Sequence, residues 1–441
     1  MNNGNTFGKN RWAMLLLFGM LGQIAWSVEN MYFNLFVFDT VAPDLDAITL
    51  MVQLSGVTAT VATLVAGVIS DKLGNRRSFI SWGYAIWGVT VALFGCLSPE
   101  LISKSFGIDL ASAVSVTLVL VVVGDCVMTL FGSTANDAAF NAWVTDNTRP
   151  ENRGSVEGVL SILPLIAMLI VAGGFGMLVE FIGYRTLFII LGALISLSGI
   201  LGIFLIKDNS DMERSGTLRD IFYGFRPSVV RKNLPLYLTL VTVLIYGIAC
   251  QTFMPYMIIY MKTYLGFSVL EYSIVFGVAI VLGAVINVFL GRLSDRTDKV
   301  KLLYIAAAVM AAGLFGMYFA PSDNKTAALL LFGIFGFIMI TGYIFVSALC
   351  GSTVRDYTPE GAVGKMQGVR MVFSVLIPML VGPAIGNAIN KARGIKLPDA
   401  GADIMTTEYI PAPEIFLVGS LVTLLMFAVI PILSKLTKKE K

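Results

Sequence analysis

The chain has 441 residues, of which 56% are hydrophobic and 13% are charged, and its formal net charge is +3. Average proteins carry about 25% charged residues, so this composition excludes an ordinary soluble protein and is typical of a polytopic membrane protein. The chain contains no histidine, so any proton chemistry must use carboxylates.

Apolar runs long enough to cross a bilayer recur along the whole chain and predict twelve membrane spans. The predicted spans cover residues 12–38, 47–70, 78–97, 113–145, 155–180, 183–206, 233–262, 270–293, 301–320, 326–351, 366–390 and 414–434. Most Lys and Arg residues fall in the two termini and in alternate loops, which predicts that both termini are cytoplasmic. A mixed-charge linker at 207–232 separates a predicted six-span half, 1–206, from a second, 233–441.

A short charged turn stands between two apolar runs and has the pattern Gly67-x-x-x-Asp71-Lys72-x-Gly74-x-Arg76-Arg77. A second copy begins at Gly291 and has Asp298 where a glycine is expected. The pattern resembles the signature of the loop between helices 2 and 3 in the major facilitator superfamily. The resemblance implies an all-α transporter with twelve helices in two parallel six-helix repeats.

The charged turns are predicted to act as a cytoplasmic gate. Ion pairs between helices or between halves would hold that side closed, and breaking them would shift the conformational equilibrium. The residues assigned to this gate are Asp71, Lys72, Arg76, Arg77, Asp295 and Arg296.

Span 1 carries polar residues at helical spacing. They are Gln23, Trp26, Asn30 and Asn34 on one face, with Glu29 at its flank. Amides donate and accept hydrogen bonds and an aromatic ring can stack on a sugar, so this face suits a polyhydroxylated solute. The alternative is hydrogen bonding between packed spans.

Span 4 carries a second polar stripe, in which the predicted pathway residues are Asp125, Asn136, Asp137 and Asn141. Asp137 precedes Asp146 by about 14 Å of helix, which puts it near the middle of the bilayer. Ionisable groups at this depth usually mark a substrate or ion pathway, so Asp137 is a candidate to carry a proton or a cation. A satisfied structural carboxylate is the alternative.

The stretch Asp137-Ala-Ala-Phe140-Asn-Ala-Trp143, followed by Asp146, resembles the helix 4 region of glycoside–pentoside–hexuronide:cation symporters. By that resemblance Asp137 would be a cation or sugar ligand. This family usually carries two aspartates in helix 2. The predicted span here has Thr58, Thr60 and Thr63 in that region and no acid before Asp71. This departure makes coupling to H⁺ more consistent with the sequence than coupling to Na⁺.

Two further spans carry candidate pathway residues. Gln251 and Tyr256 lie beside Pro255, where span 7 is predicted to bend near an outer gate. Gln367 and Arg370 share one face of span 11. The Arg370 side chain could equally reach the membrane surface.

These features predict a secondary active transporter of a small polar solute, a sugar or glycoside, by cation symport with alternating access. The alternative is a proton-coupled exporter of drugs or metabolites, and the fragment Gly382-Pro383-x-x-Gly386 resembles part of the signature of such exporters. We expect a monomer in the cell membrane, with the bilayer and a small molecule as its partners. No enzyme activity, nucleic-acid partner, metal site or cofactor other than the coupling ion is expected.

Overall fold

The computed structural model describes residues 8–148, 150–208, 218–294, 297–359, 363–396 and 409–439. Within these ranges ten helical stretches are long and apolar enough to cross a membrane. An eleventh is Arg76–Phe94, which is followed after a bend of 87° by the short helix Pro99–Phe106. A two-stranded antiparallel ribbon pairs Ile395–Lys396 with Tyr409–Ile410.

One of the ten stretches contains two spans. Gly158–Leu205 is 48 residues long, about twice the length that a bilayer requires. At Gly183 the backbone leaves the helical region with φ 76° and ψ 160°, a conformation that glycine adopts without the steric cost of a Cβ atom. Counting both parts gives twelve spans, as the sequence predicts.

We number the spans in chain order, as follows. Span 1 is Lys9–Thr40, span 2 is Leu45–Leu73, span 3 is Arg76–Phe94, span 4 is Leu110–Asn147, span 5 begins at Pro150 and ends at the break at Gly183, span 6 continues from the break to Leu205, span 7 is Leu234–Thr263, span 8 is Val269–Ser294, span 9 is Lys299–Tyr318, span 10 is Lys325–Tyr357, span 11 is Met366–Arg393 and span 12 is Glu414–Leu436. A 3-10 helix, Leu218–Phe225, and a short α-helix, Pro227–Lys232, precede span 7.

Several spans depart from regular α-helix. Spans 1, 4, 5 and 11 contain π-helical segments at Glu29–Phe33, Ser133–Phe140, Val171–Phe175 and Val372–Leu376. π-Helical segments are rare in proteins, and those that occur often lie at functional sites. Span 7 tightens to a 3-10 turn at Met254–Tyr256, because Pro255 lacks the N–H that a regular helix would use. The helix is thus irregular at the point where span 7 is predicted to bend, and the bend itself stays a prediction.

The chain forms two compact units. Unit 1 comprises Met1–Ala42 and Val57–Leu218, and unit 2 comprises Pro43–Gly56 and Arg219–Lys441. These units differ from the predicted halves mainly in the first part of span 2, up to Gly56, which belongs to unit 2.

Spans 3 and 6 of unit 1 pack through glycines. A Cβ atom on Gly88 would overlap the backbone of Gly192, so only a pair of small residues permits this approach. Close packing of small residues is a common way to associate helices in lipid, where apolar burial no longer drives association. Large apolar side chains such as Trp82 and Phe204 are exposed on the same spans, as expected for surfaces that face lipid.

Candidate functional site

The Glu29 side chain lies in the π-helical segment of span 1 and contacts span 4. Its Oε1 accepts a hydrogen bond from Thr129 Oγ1 at 3.1 Å, and both residues are buried. Asp125 lies one turn before Thr129 on span 4 and is only 2% exposed. Both carboxyl groups act electrostatically on the Cys126 thiol, so they lie in the same region of unit 1.

Asp137 lies in the π-helical segment of span 4 and is half-buried. Its carboxyl group is near the Trp26 indole N–H and the Ser133 hydroxyl, although neither donor makes a hydrogen bond of ordinary geometry. Trp26 packs on Trp87 with ring centroids 5.1 Å apart. The exposed Asn141 donates through Nδ2 to the Asp137 carbonyl at 3.1 Å. Spans 1 and 4 therefore place an indole, a hydroxyl, a carboxyl and an amide together.

No Lys or Arg pairs with Asp137 among the residues that the structure describes. Within the same ranges no three Cys, Asp or Glu side chains converge in a way that could hold a metal ion. A carboxyl group without a cationic partner is costly to ionise away from water. The arrangement can therefore bind a proton, and it offers hydrogen-bonding groups beside an aromatic surface.

Asn136 connects three spans through buried hydrogen bonds. Its Nδ2 donates to Tyr84 Oη at 2.6 Å, and the Tyr84 hydroxyl donates to the Phe18 carbonyl at 2.6 Å. Gly22 of span 1 packs against the Asn136 side chain, and a Cβ atom at Gly22 would overlap it. Asn136 is 3% exposed, so its amide serves the packing of spans 1, 3 and 4.

The polar face predicted for span 1 is split. Asn30 is exposed and donates to the Trp26 carbonyl at 2.7 Å, whereas Asn34 is buried and donates to the Asn30 carbonyl at 3.4 Å. Phe33, which helical spacing places on the same face, stacks instead within an aromatic core. The π-helical segment changes the spacing of side chains around the helix, which explains the difference. Gln23 is half-buried.

Tyr256 of span 7 is fully buried in unit 2. Its hydroxyl is hydrogen-bonded to Thr49 Oγ1 at 2.7 Å and donates to the Pro383 carbonyl at 2.9 Å. Gln251 is half-buried and packs where Gly382 of span 11 approaches span 7. The Gly382-Pro383 fragment therefore has a packing role here, and Tyr256 joins spans 2, 7 and 11.

The first part of span 2 makes a row of further polar contacts in unit 2. Asp46 Oδ1 accepts a hydrogen bond from Asn387 Nδ2 at 2.5 Å and pairs with Lys391 at 2.6 Å. Gln53 Nε2 donates to the Leu380 carbonyl at 2.7 Å. Asp46, Thr49 and Gln53 lie at helical spacing, so one face of span 2 makes all of these contacts. This row was not predicted from the sequence.

Gln367 and Arg370 are half-buried on span 11, just before its π-helical segment. The Arg370 carbonyl accepts a hydrogen bond from Ser374 Oγ at 2.7 Å. Twelve residues separate Arg370 from Gly382, about 18 Å along a helix. The two predicted pathway positions of span 11 therefore do not join Gln251 and Tyr256 in unit 2.

Arg76 is buried at the start of span 3 and binds three side chains. It forms ion pairs with Asp71 and, at 3.0 Å, with Asp146 at the end of span 4. Its Nη1 also donates to Ser70 Oγ at 2.6 Å. Burying a guanidinium requires partners of this kind. All of these contacts lie within unit 1, and the gating role of the turn remains a prediction.

The rest of the first charged turn caps span 3. Asp208 Oδ1 accepts the backbone N–H groups of Arg76 and Arg77, each at 2.9 Å, and Arg77 Nη2 donates to the Ile203 carbonyl. Gly74 has φ 63°, which a turn of this shape requires from glycine. Lys72 is exposed.

The second charged turn is described only in part, because Asp295 and Arg296 lie outside the described residues. Asp298 caps span 9 by accepting the Val300 N–H at 3.0 Å. In the first turn the corresponding cap is Asn75, which follows Gly74. The aspartate that departs from the family pattern is therefore the helix cap itself.

Several side chains of the site were not singled out from the sequence. Tyr84 and Trp87 belong to an apolar run with no polar stripe, and their contacts with spans 1 and 4 depend on how three helices meet. One signal in the sequence could have found them. Tyr84 and Trp87 are three residues apart and are flanked by Gly83 and Gly88, and these glycines allow neighbouring helices to approach closely.

A family model described as Major Facilitator Superfamily matches residues 15–383. The chain belongs to the major facilitator superfamily. Its membership, together with the twelve spans, makes it a multi-pass membrane transporter and not an enzyme.

Solved structures of this superfamily share the fold. The D-xylose-proton symporter superposes with a TM-score of 0.72 at 14% identity, covering 95% of this chain and 96% of that one. The nucleoside transporter NupG superposes with a TM-score of 0.65 at 12% identity, covering 97% and 100%. At such low identities the likeness shows the fold alone.

A curated relative in sequence is described as a multi-drug resistance efflux pump PmrA homolog, from Lactococcus lactis subsp. lactis (strain IL1403). It is 25% identical over 316 residues, which cover 68% of this chain and 75% of the relative.

Proposed function

We propose that this transporter carries a small polar solute of the sugar or glycoside class in symport with a cation, H⁺ in preference to Na⁺. The observation that supports the proposal is the Asp137 carboxyl group, half-buried within span 4 and without a cationic partner among the described residues. Binding a proton removes the cost of an isolated charge in the membrane. The group can therefore alternate between two protonation states as its access to water changes.

The surroundings of Asp137 favour a proton over a sodium ion. An indole N–H only donates hydrogen bonds and cannot ligate a cation. A sodium ion bound to Asp137 would need oxygen ligands around it, and on the Trp26 side it would meet an N–H group instead. A protonated carboxyl group keeps an oxygen that can accept from such a donor. The absence of acids between Thr58 and Thr63 in span 2 points the same way.

The solute class is proposed from polar groups that lie one helical turn from Trp26 on span 1 and from Asp137 on span 4. Asn30 and Asn141 are exposed, and each donates a hydrogen bond through Nδ2 to a carbonyl of its own helix. The side-chain amide oxygen of each residue can therefore accept a hydrogen bond from a hydroxyl group. Trp26 adds an aromatic surface. Hydroxyl groups and apolar ring faces occur together in sugars, which matches these groups.

A second candidate is a proton-coupled exporter. The observation that favours it is the identity of 25% with a protein described as a drug efflux pump homologue. Both functions would use the same carboxyl group, and they differ in the direction of the solute relative to the proton.

The test is counterflow of a panel of labelled sugars in proteoliposomes, at two pH values and with or without sodium. Wild type is compared with Asp137→Asn and with the control Asp109→Asn. Asp109 caps span 4 and is exposed, and asparagine caps helices equally well. The control therefore removes a carboxylate from the same helix without touching the site.

We expect one sugar class to exchange, independently of sodium. Asp137→Asn should retain exchange but lose accumulation driven by a proton gradient, and Asp109→Asn should retain both. If no sugar exchanges and a lipophilic cation is expelled against a proton gradient, the exporter replaces the symporter. If Asp137→Asn accumulates solute as wild type does, another group carries the coupling.

A further inference from the structure

We call residues 221–232 the linker segment. They comprise the end of the 3-10 helix and the short α-helix before span 7, and they belong to unit 2. One side of the segment is packed, because the Tyr237 hydroxyl of span 7 donates to the Gly224 carbonyl and a Cβ atom at Gly224 would overlap Val369 of span 11. Val229 is buried in the same apolar cluster as Tyr237 and Val369. The segment is therefore fixed to the first turns of two spans.

The length of span 7 indicates the depth at which the linker segment lies. Span 7 is 30 residues long, about 45 Å of helix, and a bilayer with its head groups is about 40–45 Å thick. Tyr237 lies in the first turn of this span, so its hydrogen bond to Gly224 places the segment at the depth of the head groups. The distribution of Lys and Arg predicts that this is the cytoplasmic side.

The other side of the linker segment carries exposed aromatic rings. Phe222 is 67% exposed and Phe225 is 43% exposed, whereas Tyr223 between them is half-buried. Leu234, the first residue of span 7, is also exposed. In helices that lie on a membrane, Phe and Leu side chains enter the boundary between head groups and acyl chains. At this depth the two rings therefore suit lipid better than water.

The same segment is basic and has no counter-charge. Arg226, Arg231 and Lys232 are exposed, and residues 221–232 include no acid, the nearest one in the sequence being Asp220. None of the three basic residues forms an ion pair with a carboxylate of the described residues. The Arg226 guanidinium lies over the Tyr223 ring, 5.6 Å from its centroid, which holds it between the two exposed phenylalanines along the chain. The segment thus offers apolar rings and uncompensated positive charge together.

We propose that the linker segment binds anionic phospholipid at the membrane surface. The Phe222 and Phe225 rings enter the upper part of the acyl chains. The phosphate groups lie against Arg226, Arg231 and Lys232. The cytoplasmic leaflet is negatively charged and attracts basic segments that lie next to a membrane span. This lipid site lies in unit 2, away from Asp137, and does not depend on which solute is carried.

The test measures which lipids contact the segment in the full-length protein. The four native cysteines are replaced, and a single cysteine is introduced by Phe222→Cys or Phe225→Cys and labelled with the fluorophore NBD. The protein is reconstituted into phosphatidylcholine vesicles that contain phosphatidylglycerol. Quenching is measured with doxyl-labelled phosphatidylglycerol, with doxyl-labelled phosphatidylcholine and with aqueous iodide.

Two reference positions calibrate the signal. Val281→Cys lies in the middle of span 8, where the side chain is 44% exposed, and reports contact with acyl chains. Lys72→Cys lies on the exposed part of the first charged turn and reports water. Neither substitution removes a buried side chain.

Two pairs of charge substitutions test the choice of lipid. Arg231→Gln with Lys232→Gln removes two positive charges from the linker segment. The matched control is Lys301→Gln with Lys435→Gln, because these lysines are also exposed, lie at the cytoplasmic ends of spans 9 and 12 and belong to unit 2. Both double variants change only exposed side chains, so the unfolding temperature should stay that of wild type.

We expect doxyl lipids to quench the label at Phe222→Cys and Phe225→Cys. A doxyl group near the head group should quench more strongly there than one near the chain end, and the label at Val281→Cys should show the reverse order. Phosphatidylglycerol should quench both linker labels more strongly than phosphatidylcholine. Removing Arg231 and Lys232 should lower this preference by up to about fivefold per residue, whereas the control pair should leave it unchanged.

Three outcomes would overturn the proposal. Quenching by iodide as at Lys72→Cys, without quenching by lipid, would place the segment in water. Equal quenching by the two lipids would leave an apolar contact without recognition of a head group. Equal effects of the two double variants would mean that the charge of the whole surface, and not of this segment, selects the lipid.

Discussion

Arg76, the first residue of span 3, pairs with Asp146 near the end of span 4, with Nε and Oδ2 3.0 Å apart. Unit 2 has the corresponding pair, in which Lys299 at the start of span 9 binds Asp356 at the end of span 10 at 2.6 Å. In each repeat an ion pair thus joins the third helix to the fourth, although the basic residue is arginine in unit 1 and lysine in unit 2.

The two pairs should contribute very differently to stability. The Arg76 side chain is 6% exposed, whereas the Lys299 and Asp356 side chains are 30% and 51% exposed. Removing one partner of a buried pair costs about 3–5 kcal/mol, and the partial exposure of Asp71 and Asp146 reduces this. We expect Arg76→Gln to lower the free energy of unfolding by about 2–3 kcal/mol, measured by unfolding in mixed micelles.

The control for this prediction is Lys299→Gln, which should cost about 0–1 kcal/mol because its pair is exposed to solvent. The double variant Arg76→Gln with Asp146→Asn should recover part of the loss, since no uncompensated charge then remains at Asp146. Equal losses in Arg76→Gln and Lys299→Gln would contradict the assignment of a buried pair to unit 1.

The charged turns show which parts of the architecture can be predicted from a sequence. Long apolar runs and the placement of Lys and Arg depend only on local composition, so the twelve spans and the two repeats follow from them. The partners of Arg76 depend on how the ends of spans 2, 3 and 4 meet. The sequence places Asp146 directly after the predicted span 4, but the residues around it do not indicate that it binds Arg76.

The hydrogen bond from Thr129 to Glu29 joins spans 4 and 1. Thr129→Val keeps the shape of the side chain and removes the donor, so Glu29 loses a hydrogen bond in a buried position. We expect the free energy of unfolding to fall by about 1–3 kcal/mol. Thr117→Val is the matched control, because Thr117 lies on the same span, is fully buried and bonds only the Ala113 carbonyl of its own helix.

The control should lose less stability than Thr129→Val, because the bond it breaks lies within one helix and joins no other span. The measurement is thermal unfolding of both variants in the same detergent. Equal shifts in the two variants would mean that the contact between Glu29 and Thr129 contributes nothing specific to the packing of spans 1 and 4.

The polar residues of spans 1 and 4 show where prediction from the sequence stops. Helical spacing places Asn30, Phe33 and Asn34 on one face, and the π-helical segment separates them. The sequence predicts that Asn136 lines a pathway, but it donates to Tyr84 across the seam with span 3. Spacing along one helix cannot reveal an irregular turn or a partner on another helix, because both are decided by packing.

Gly386 of span 11 should be intolerant of a side chain. A Cβ atom there would lie 2.6 Å from the Tyr256 ring and closer still to the Thr252 carbonyl oxygen. Overpacking of this kind typically costs about 1–3 kcal/mol, so Gly386→Ala should lower the unfolding temperature. Gly333 of span 10 has open space around it, so Gly333→Ala should be neutral or stabilising, because alanine favours the helix by about 1 kcal/mol.

Unfolding temperatures of the two alanine variants, measured side by side in detergent, test this prediction. A tolerated Gly386→Ala would show that spans 7 and 11 can separate at this point without loss.

Tyr256 and Tyr260 are four residues apart on span 7, and both side chains are fully buried. Tyr256 Oη bonds Thr49 and the Pro383 carbonyl, whereas Tyr260 Oη has no hydrogen-bond partner among the described residues. Tyr256→Phe leaves a buried carbonyl and a threonine hydroxyl with one bond fewer, which should cost about 1–2 kcal/mol. Tyr260→Phe should be neutral or stabilising, because it removes a buried polar atom that has no partner.

The same pair of variants tests whether Tyr256 holds the first part of span 2 in unit 2. A cysteine introduced at Gln53 removes the hydrogen bond to the Leu380 carbonyl in both backgrounds alike. This cysteine should react faster with a water-soluble maleimide in the Tyr256→Phe background than in the Tyr260→Phe background. The four native cysteines, of which Cys250 and Cys350 are buried, are replaced first. Equal labelling rates would mean that Asp46 with Lys391 holds this part of span 2 without Tyr256.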